Sequence, residues 1–506
     1  MRKWLPLVAI CLGTIMLLID VSIVNVALPQ IADALHASFS SLQWVIDAYT
    51  LALAGLLLGI GSFADLIGHR RAYLAGLALF AVSSLACGLA PNASILDVAR
   101  AVQGVGAAAM MASSTALLNS TYQGADRGSA FGIWGAIAGA ATAIGPVLGG
   151  VLVQGISWRW IFFVNLPISV LAIGMTVRYL AVDVRQVGRR VDLSGTVTFT
   201  VFVTSLTYAL IRAGEHRWAT TSTWCLVGIA AVALLAFLAI EVRAEQPMLD
   251  LSLFRGRAFT GTMIASLFVT FAAFAGLTYS TIWLQSVMGL SPIETGLTFL
   301  PLAGASFMVS AGIGRYLHRS AGPIIAVGMV LIGAGSLLDA LLLTGDASWP
   351  RLMPGLAVAG VGVGLAMPTL TSAAMGAVRA QRGGMAAGAV STVRQLGFAI
   401  GIASLGSAFA HFAANSLTEA GLPDPGPLAN ALSAGRAQEV LASAGTDRHQ
   451  LETALHHAVL SGLHAVFLIA GIAAVVAGLL AYVLIRPSST PLNLPTKQAE
   501  TASVPA

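Results

Sequence analysis

Five ionisable side chains fall inside stretches that are otherwise apolar: Asp20, Asp47, Arg100, Asp339 and Arg394, with Asp97 nearer the end of such a stretch. A charged group at the middle of a membrane helix costs about 2.5–3.5 kcal/mol on insertion scales, so each needs a partner or a task. A carboxylate beside a guanidinium keeps a low pKa, whereas a dry site raises it. An aspartate whose surroundings alternate between those conditions would load and unload a proton. That is the chemistry of a carrier driven by a proton gradient. A static ion pair locking two helices together uses the same residues. Arg394 does not deprotonate, so a structural partner and the attraction of an anion are its two readings.

Other chemistries find no support. No nucleophile stands with a base and an oxyanion-hole motif, so no catalytic residues and no enzyme are expected. No spacing of His, Cys or acid suggests a metal site. The chain has only two lysines, Lys3 after Arg2 and Lys497 after Thr496, and neither completes a phosphate-binding Gly-Lys-Ser/Thr loop. A P-loop ATPase is thereby excluded. No cofactor is expected, and a proton gradient is the energy source that fits. Cys11, Cys87 and Cys225 lie in apolar spans and read as packing groups. His411 and His464, at span ends, read as interfacial histidines.

The elements that must position these groups are set by composition. Of the 506 residues 57% are hydrophobic and 9% charged, the balance of a membrane protein. About 20 apolar residues cross a bilayer core. Fourteen such runs lie near 5–28, 43–64, 72–90, 95–118, 130–153, 160–180, 193–212, 221–241, 258–283, 294–314, 322–343, 352–376, 384–411 and 461–485. The first holds Asp20 and Asn25 and is followed by thirteen more, so it reads as a span rather than a signal peptide. With the N-terminus inside, eighteen of the 26 basic residues fall in inner segments and six in outer ones. That bias places both termini in the cytoplasm. It also accounts for the net charge of +5 without a basic stripe for nucleic acid. In that orientation Asp20 lies well along the outward-running first helix. Asp47 and Arg100 lie a turn or two inside the outer ends of the second and fourth, where all three could face one cavity.

Basic loops near 181–192 and 243–257 divide the spans into six, two and six. The expected organisation is a bundle over 1–180, an inserted pair with its flanking loops over 181–257, and a second bundle over 258–486. An outer segment at 412–460 carries some helix around 428–457, and the tail 487–506 is disordered. Two halves about an inserted pair suggest a transporter of two related bundles.

These residues resemble the major facilitator superfamily, specifically its fourteen-span drug/proton antiporters of the EmrB/QacA type, over nearly the whole chain. Leu18-Ile-Asp-Val-Ser-Ile-Val-Asn-Val-Ala-Leu-Pro29 is similar to the family's Asp-containing signature, and Trp44-Val-Ile-Asp-Ala-Tyr49 is similarly typical. Gly61-Ser-Phe-Ala-Asp-Leu-Ile-Gly-His-Arg-Arg71 resembles the superfamily's gating loop, for which the family implies Asp65 paired to a basic residue, with Gly61, Gly68 and Arg70 kept. Leu66 and His69 replace its usual arginines. Arg100-Ala-Val-Gln-Gly-Val-Gly106 matches the motif whose arginine the family implicates in proton transfer. Gly135, Gly139, Gly145, Pro146, Gly149 and Gly150 are similar to the antiporter motif, and Ser157-Trp-Arg-Trp-Ile-Phe-Phe-Val-Asn-Leu-Pro167 is typical of the fourteen-span group. So are Leu284-Gln-Ser-Val-Met-Gly289 and Thr392-Val-Arg-Gln-Leu-Gly397.

The glycines remove side chains so that another helix can approach closely. The resemblance implies that the opposite bundle is that partner, and that Pro146 bends the helix. An ordinary packing seam is the plainer reading. The resemblance implies an all-α membrane protein of fourteen helices (6 + 2 + 6) in the cytoplasmic membrane, exporting lipophilic organic compounds by proton-coupled antiport and alternating access. Asp20 and Arg100, with Asp47, would couple protons. Asp47, Asp339 and Arg394 are candidates for the substrate cavity. The same fold could serve a dedicated exporter or an uptake carrier of one small metabolite, or a non-transporting sensor. The expected partners are a lipophilic substrate, protons and the lipid bilayer, with no nucleic acid and any periplasmic partner unknown.

Overall fold

The computed structural model describes residues 2–35, 39–182, 192–216, 220–313, 321–343, 348–378, 383–433, 435–442 and 448–485. The expected tail at 487–506 and most of the loop at 181–192 lie outside the described residues. Among those described there is no strand. In the first half run α1 (Leu5–Leu35), α2 (Phe39–Ile67), α3 (His69–Gly88), α4 (Ala93–Thr121), α5 (Gly124–Gly155), a single turn α6 (Trp160–Phe163) and α7 (Asn165–Tyr179). Next come α8 (Leu193–His216) and α9 (Thr221–Arg243). The second half holds α10 (Arg257–Ala273), α11 (Ala275–Ile282), α12 (Pro292–Thr298), α13 (Leu300–Ile313), α14 (Ala321–Leu342), α15 (Met353–Gly376) and α16 (Gly383–Glu419). It closes with α17 (Pro425–Ser433), α18 (Ala437–Ala442) and α19 (Arg448–Leu484).

Local chemistry sets where several of these begin. Asn92 caps α4 by accepting from the Ile95 amide at 3.0 Å. Ser291 and Glu294 form a reciprocal capping box at α12, with Pro292 in the first turn where its missing N–H costs nothing. Gly68 turns α2 into α3 at φ 100°, a conformation that side chains oppose.

Among the described residues, twelve helical stretches are long and apolar enough to cross a membrane, against the fourteen runs read from the sequence. Outside that set stand α5, a continuous helix of 32 residues, and α13, a shorter apolar helix. Along the run at 294–314 the helix is interrupted at Phe299, where α12 ends and α13 starts. The expected outer segment at 412–460 is largely helical where it is described. Helix α16 continues to Glu419 and α19 already starts at Arg448, leaving α17 and α18 between them.

The two halves pack alike. In the first, α3 crosses α4 and α1 lies along α5; in the second, α14 crosses α15 and α10 lies along α16. The crossings share their atoms. Gly76 lies against the Gly106 carbonyl and the Met110 amide, as Gly328 does against the Gly362 carbonyl and the Ala366 amide. Backbone touching backbone is the close approach that small residues permit, in a setting where apolar side chains gain little by leaving lipid. The halves meet where α2 packs on α16 and α5 on α13. Helix α8 packs against α2 and α16 and carries α9 on its outer side, and only 22% of the most apolar stretch of α9 is buried, against 78% for α4.

A Cβ at Gly106 would lie 2.8 Å from the Phe80 amide nitrogen and 3.0 Å from the Gly76 carbonyl. Both are backbone, so neither can swing aside. Gly106→Val is expected to cost about 1–3 kcal/mol by overpacking, read as a lower thermal midpoint in detergent.

Candidate functional site

Asp20 has no exposed surface, and Arg100 is 1% exposed. Arg100 Nη1 donates to Asp20 Oδ2 at 2.6 Å. The other carboxylate oxygen, Oδ1, accepts from Gln103 Nε2 and Asn165 Nδ2, each at 3.0 Å. The amide oxygen of Gln103 in turn accepts from Arg100 Nη1 at 2.7 Å. Ser84 Oγ joins the set, accepting from Gln103 at 3.2 Å and Asn165 at 3.0 Å while donating to the Phe162 carbonyl at 3.0 Å. Arg100 Nε donates to the Val45 carbonyl at 3.0 Å, and the guanidinium lies 4.2 Å from the centre of the Tyr49 ring.

The network draws on α1, α2, α3, α4, α6 and α7. Charge-assisted bonds are the strong ones, and here they compensate two ions removed from water. The spacing is helical: Arg100 and Gln103 are one turn apart on α4, as Val45 and Tyr49 are on α2. Protonating Asp20 would remove the charge that holds Arg100 and leave its neighbours to rearrange.

Asp47 does not share this face. A helix turns about 100° per residue, so Asp47 stands about 200° around α2 from both Val45 and Tyr49. It is half-buried there. Asp339 and Arg394 lie in the second half, apart from Asp20 and from each other. The Asp339 carboxylate sits in the seam between α14 and α15, over Gly355, where a Cβ would collide with it. Arg394 reaches from α16 to α15, donating to the Met367 carbonyl at 3.1 Å and to Thr371 Oγ1 at 2.9 Å.

A separate polar contact joins the halves. Asp65 accepts from the Gly384 amide at 2.8 Å and the Met385 amide at 3.0 Å, the first turn of α16, with His69 Nε2 at 3.3 Å. A carboxylate at a helix N-terminus complements its exposed amides and its dipole. Gly61 and Gly384 pack face to face, each where a Cβ would meet the other's carbonyl. Arg70 donates to the Val177 carbonyl at the end of α7, at 2.8 Å.

The pattern of the Major Facilitator Superfamily matches residues 10–402. The chain belongs to the major facilitator superfamily. It is 39% identical over 427 residues to the multidrug resistance protein Stp of Mycobacterium tuberculosis (strain CDC 1551 / Oshkosh), covering 83% of this chain and 79% of Stp. It is 33% identical over 493 residues to the tetracenomycin C resistance and export protein of Streptomyces glaucescens, covering 95% and 91%. The multidrug transporter protein MdtP of Bacillus subtilis (strain 168) is 31% identical, covering 80% and 75%. In fold the chain is similar to the human organic anion transporter MFSD10, with a TM-score of 0.62 at 14% identity, covering 95% of this chain and 99% of that one. The proton:xylose symporter XylE gives a TM-score of 0.58 at 11% identity, covering 96% of both.

In this facilitator the glycine-rich α5 serves two partners. Gly135 faces Pro368 of α15 and Ser310 of α13, and Gly150 faces Ile293 of α12, all in the opposite half. Gly145 instead abuts Ser22 and the Ile19 carbonyl of α1, in its own half. The reason is rotation. Gly150 stands about 60° from Gly135 around the helix, and Gly145 about 80° the other way. The expectation that all the glycines meet the opposite bundle is corrected on that point. Gly149 is buried, and the surroundings of Gly139 and Pro146 lie outside the described residues. The proline that acts visibly is Pro368. It removes the N–H that Gly364 would accept from, and the Gly364 carbonyl accepts from Ser310 Oγ at 3.0 Å across the α13–α15 seam.

Gln103, Asn165, Ser84 and the α16 amides were not singled out from sequence. Gln103 and Asn165 did carry a signal, as amide side chains inside apolar spans; backbone amides carry none. Asp20→Ala should destabilise the fold by about 3–5 kcal/mol by stranding Arg100. Asp20→Ala combined with Arg100→Leu should cost less than the two single changes summed, in thermal unfolding of the purified protein.

Proposed function

We propose that this chain exports lipophilic drugs or antibiotics across the cytoplasmic membrane by alternating access, in exchange for protons. The observation that carries this reading is the buried Asp20–Arg100 pair, set in a chain whose relatives are multidrug and antibiotic resistance proteins. A proton arriving from the outer side neutralises Asp20. Arg100 then loses its carboxylate partner, and the network joining six elements loosens and re-forms on proton release. Gln103 and Asn165 hold the carboxylate for that exchange, and Tyr49 provides a π-face over which the freed guanidinium can rest.

The gate is assigned to Asp65 with Gly61, Gly68 and Arg70, where α2 closes on α16. The seam at Gly135 and Gly150 keeps the halves in contact while the gate opens. The organisation we favour is fourteen spans, six, two and six, counting α5 and α13, with both termini in the cytoplasm. Its halves are residues 1–180 and 258–486, with 181–257 inserted. The basic residues of the inner loops support that orientation. Asp47, half-buried on the other face of α2, is better suited to meeting substrate than to the proton network. Arg394, bound to α15 groups, holds the second half together.

The test is proton movement in energised inverted vesicles while lipophilic cations and natural antibiotics are added. The unmodified protein is expected to dissipate the gradient with at least one of these compounds. Asp20→Asn should still bind that compound, while its proton-linked transport falls to the level of protein-free vesicles. Undiminished proton-linked export by Asp20→Asn would remove Asp20 from the coupling role.

A further inference from the structure

The crossing of α3 with α4 and that of α14 with α15 are built in one register. Gly106 lies against the Phe80 amide as Gly362 does against the Ile332 amide, so Gly76 and Gly328 mark equivalent turns. Eight residues beyond each glycine stands a serine, Ser84 and Ser336, and eleven beyond stand Cys87 and Asp339. In the first half this turn serves the buried ion pair. Ser84 accepts from Gln103 and Asn165, and the Cys87 thiol lies 3.7 Å from Gln103 Oε1. The second half therefore carries a carboxyl group at the level of the Asp20 network.

No cation accompanies it. Asp339 is 1% exposed, and among the described residues it enters no ion pair. The Gly355 amide is a donor to the carboxyl, while Oδ1 has no hydrogen-bond partner. Helix α15 has no ionisable side chain between Met353 and Gly376. The other elements packed on α14 supply no counter-ion either. Arg257 starts α10 at the opposite end, Arg351 in the turn Trp349–Leu352 is exposed, and His464 of α19 has Nδ1 2.8 Å from the Ala340 carbonyl. The seam itself is closed by backbone. A Cβ at Gly335 would lie 2.5 Å from the Gly355 carbonyl and 2.6 Å from the Ala359 amide. Such contact leaves no room for the hydration that an unpaired ion needs, and a carboxylate so placed neutralises instead.

We propose that Asp339 is a second proton-binding site, loaded as the neutral acid in this conformation. Its hydroxyl has an acceptor beside it, because the Gly335 carbonyl lies against the same point of Gly355 as the Asp339 carboxyl. Asp339 stands in the last turn of α14, the outer end in the orientation favoured above, so its proton comes from outside. Losing that proton calls for water or a cation, and α14 and α15 must part to admit either. The two halves then bind one proton each, at Asp20 and at Asp339. The fate of the second proton rests on the exchange reading given above; its binding does not.

The test has two arms. Infrared spectra of the full-length protein in lipid at neutral pH should show the carbonyl stretch of a protonated carboxyl group, and Asp339→Asn should remove it. Asparagine keeps the shape, a neutral head and a donor, so this variant should unfold at the same temperature. In energised vesicles Asp339→Asn should bind substrate as before and move one fewer proton per substrate. Absence of the protonated-carboxyl band from the unmodified protein would overturn the site, whether or not the variant folds. A band that persists in Asp339→Asn would do the same. A band that is lost with no change in the proton-to-substrate ratio would leave Asp339 a structural acid and overturn its part in the cycle. If no compound moves protons in the unmodified protein, the exchange reading fails, and the infrared arm alone decides proton binding.

Discussion

A carboxylate with no access to solvent must find its compensation in the protein, and the first half of this molecule is arranged around that requirement at Asp20. Arg100 supplies the charge. Gln103, Asn165 and Ser84 supply the donors and acceptors that an ion pair alone would leave unsatisfied. The partners come from α3, α4 and α7, so the pair also fixes how those helices sit with α1. The same bonds hold the two ions and tie the helices to one another.

A second constraint comes from the surrounding lipid. Apolar side chains gain little by leaving hydrocarbon for a protein interior of equal polarity, so helices are held by close contact and by polar bonds. Both devices appear at the junction between halves. Gly61 and Gly384 bring α2 and α16 into backbone contact, which places Asp65 within reach of the α16 amides. Remove either glycine and the carboxylate loses its position. Pro368 works similarly, since the hydrogen bond it deletes within α15 becomes one between α13 and α15.

Much of this was legible in the order of residues, and the limits follow from what a side chain does. Aspartate and arginine in apolar runs announce themselves by their cost, and the Asp20 and Arg100 motifs identified their helices before any geometry was known. Fourteen apolar runs were equally visible, yet interruptions at Val164, Phe274 and Phe299 divide three of them, because hydropathy counts residues and does not register where a helix breaks. Glycine is the hardest to read. Gly135 and Gly145 look alike in sequence but face opposite partners, since ten residues of helix do not complete a whole number of turns.

Composition and spacing by themselves determined that the chain is a membrane protein of many helices, and that it carries ionisable groups on the first, second and fourth spans and on two spans of the second half. Hydrophobicity and helical period are local properties, so a linear sequence records them. Tertiary structure alone decided that Asp20 pairs with Arg100 while Asp47 turns away, that Gln103 and Asn165 complete the network, and that Asp65 caps a helix more than three hundred residues distant. Those facts depend on how helices cross and rotate against one another, which is set by backbone contacts at glycines that the sequence leaves without direction.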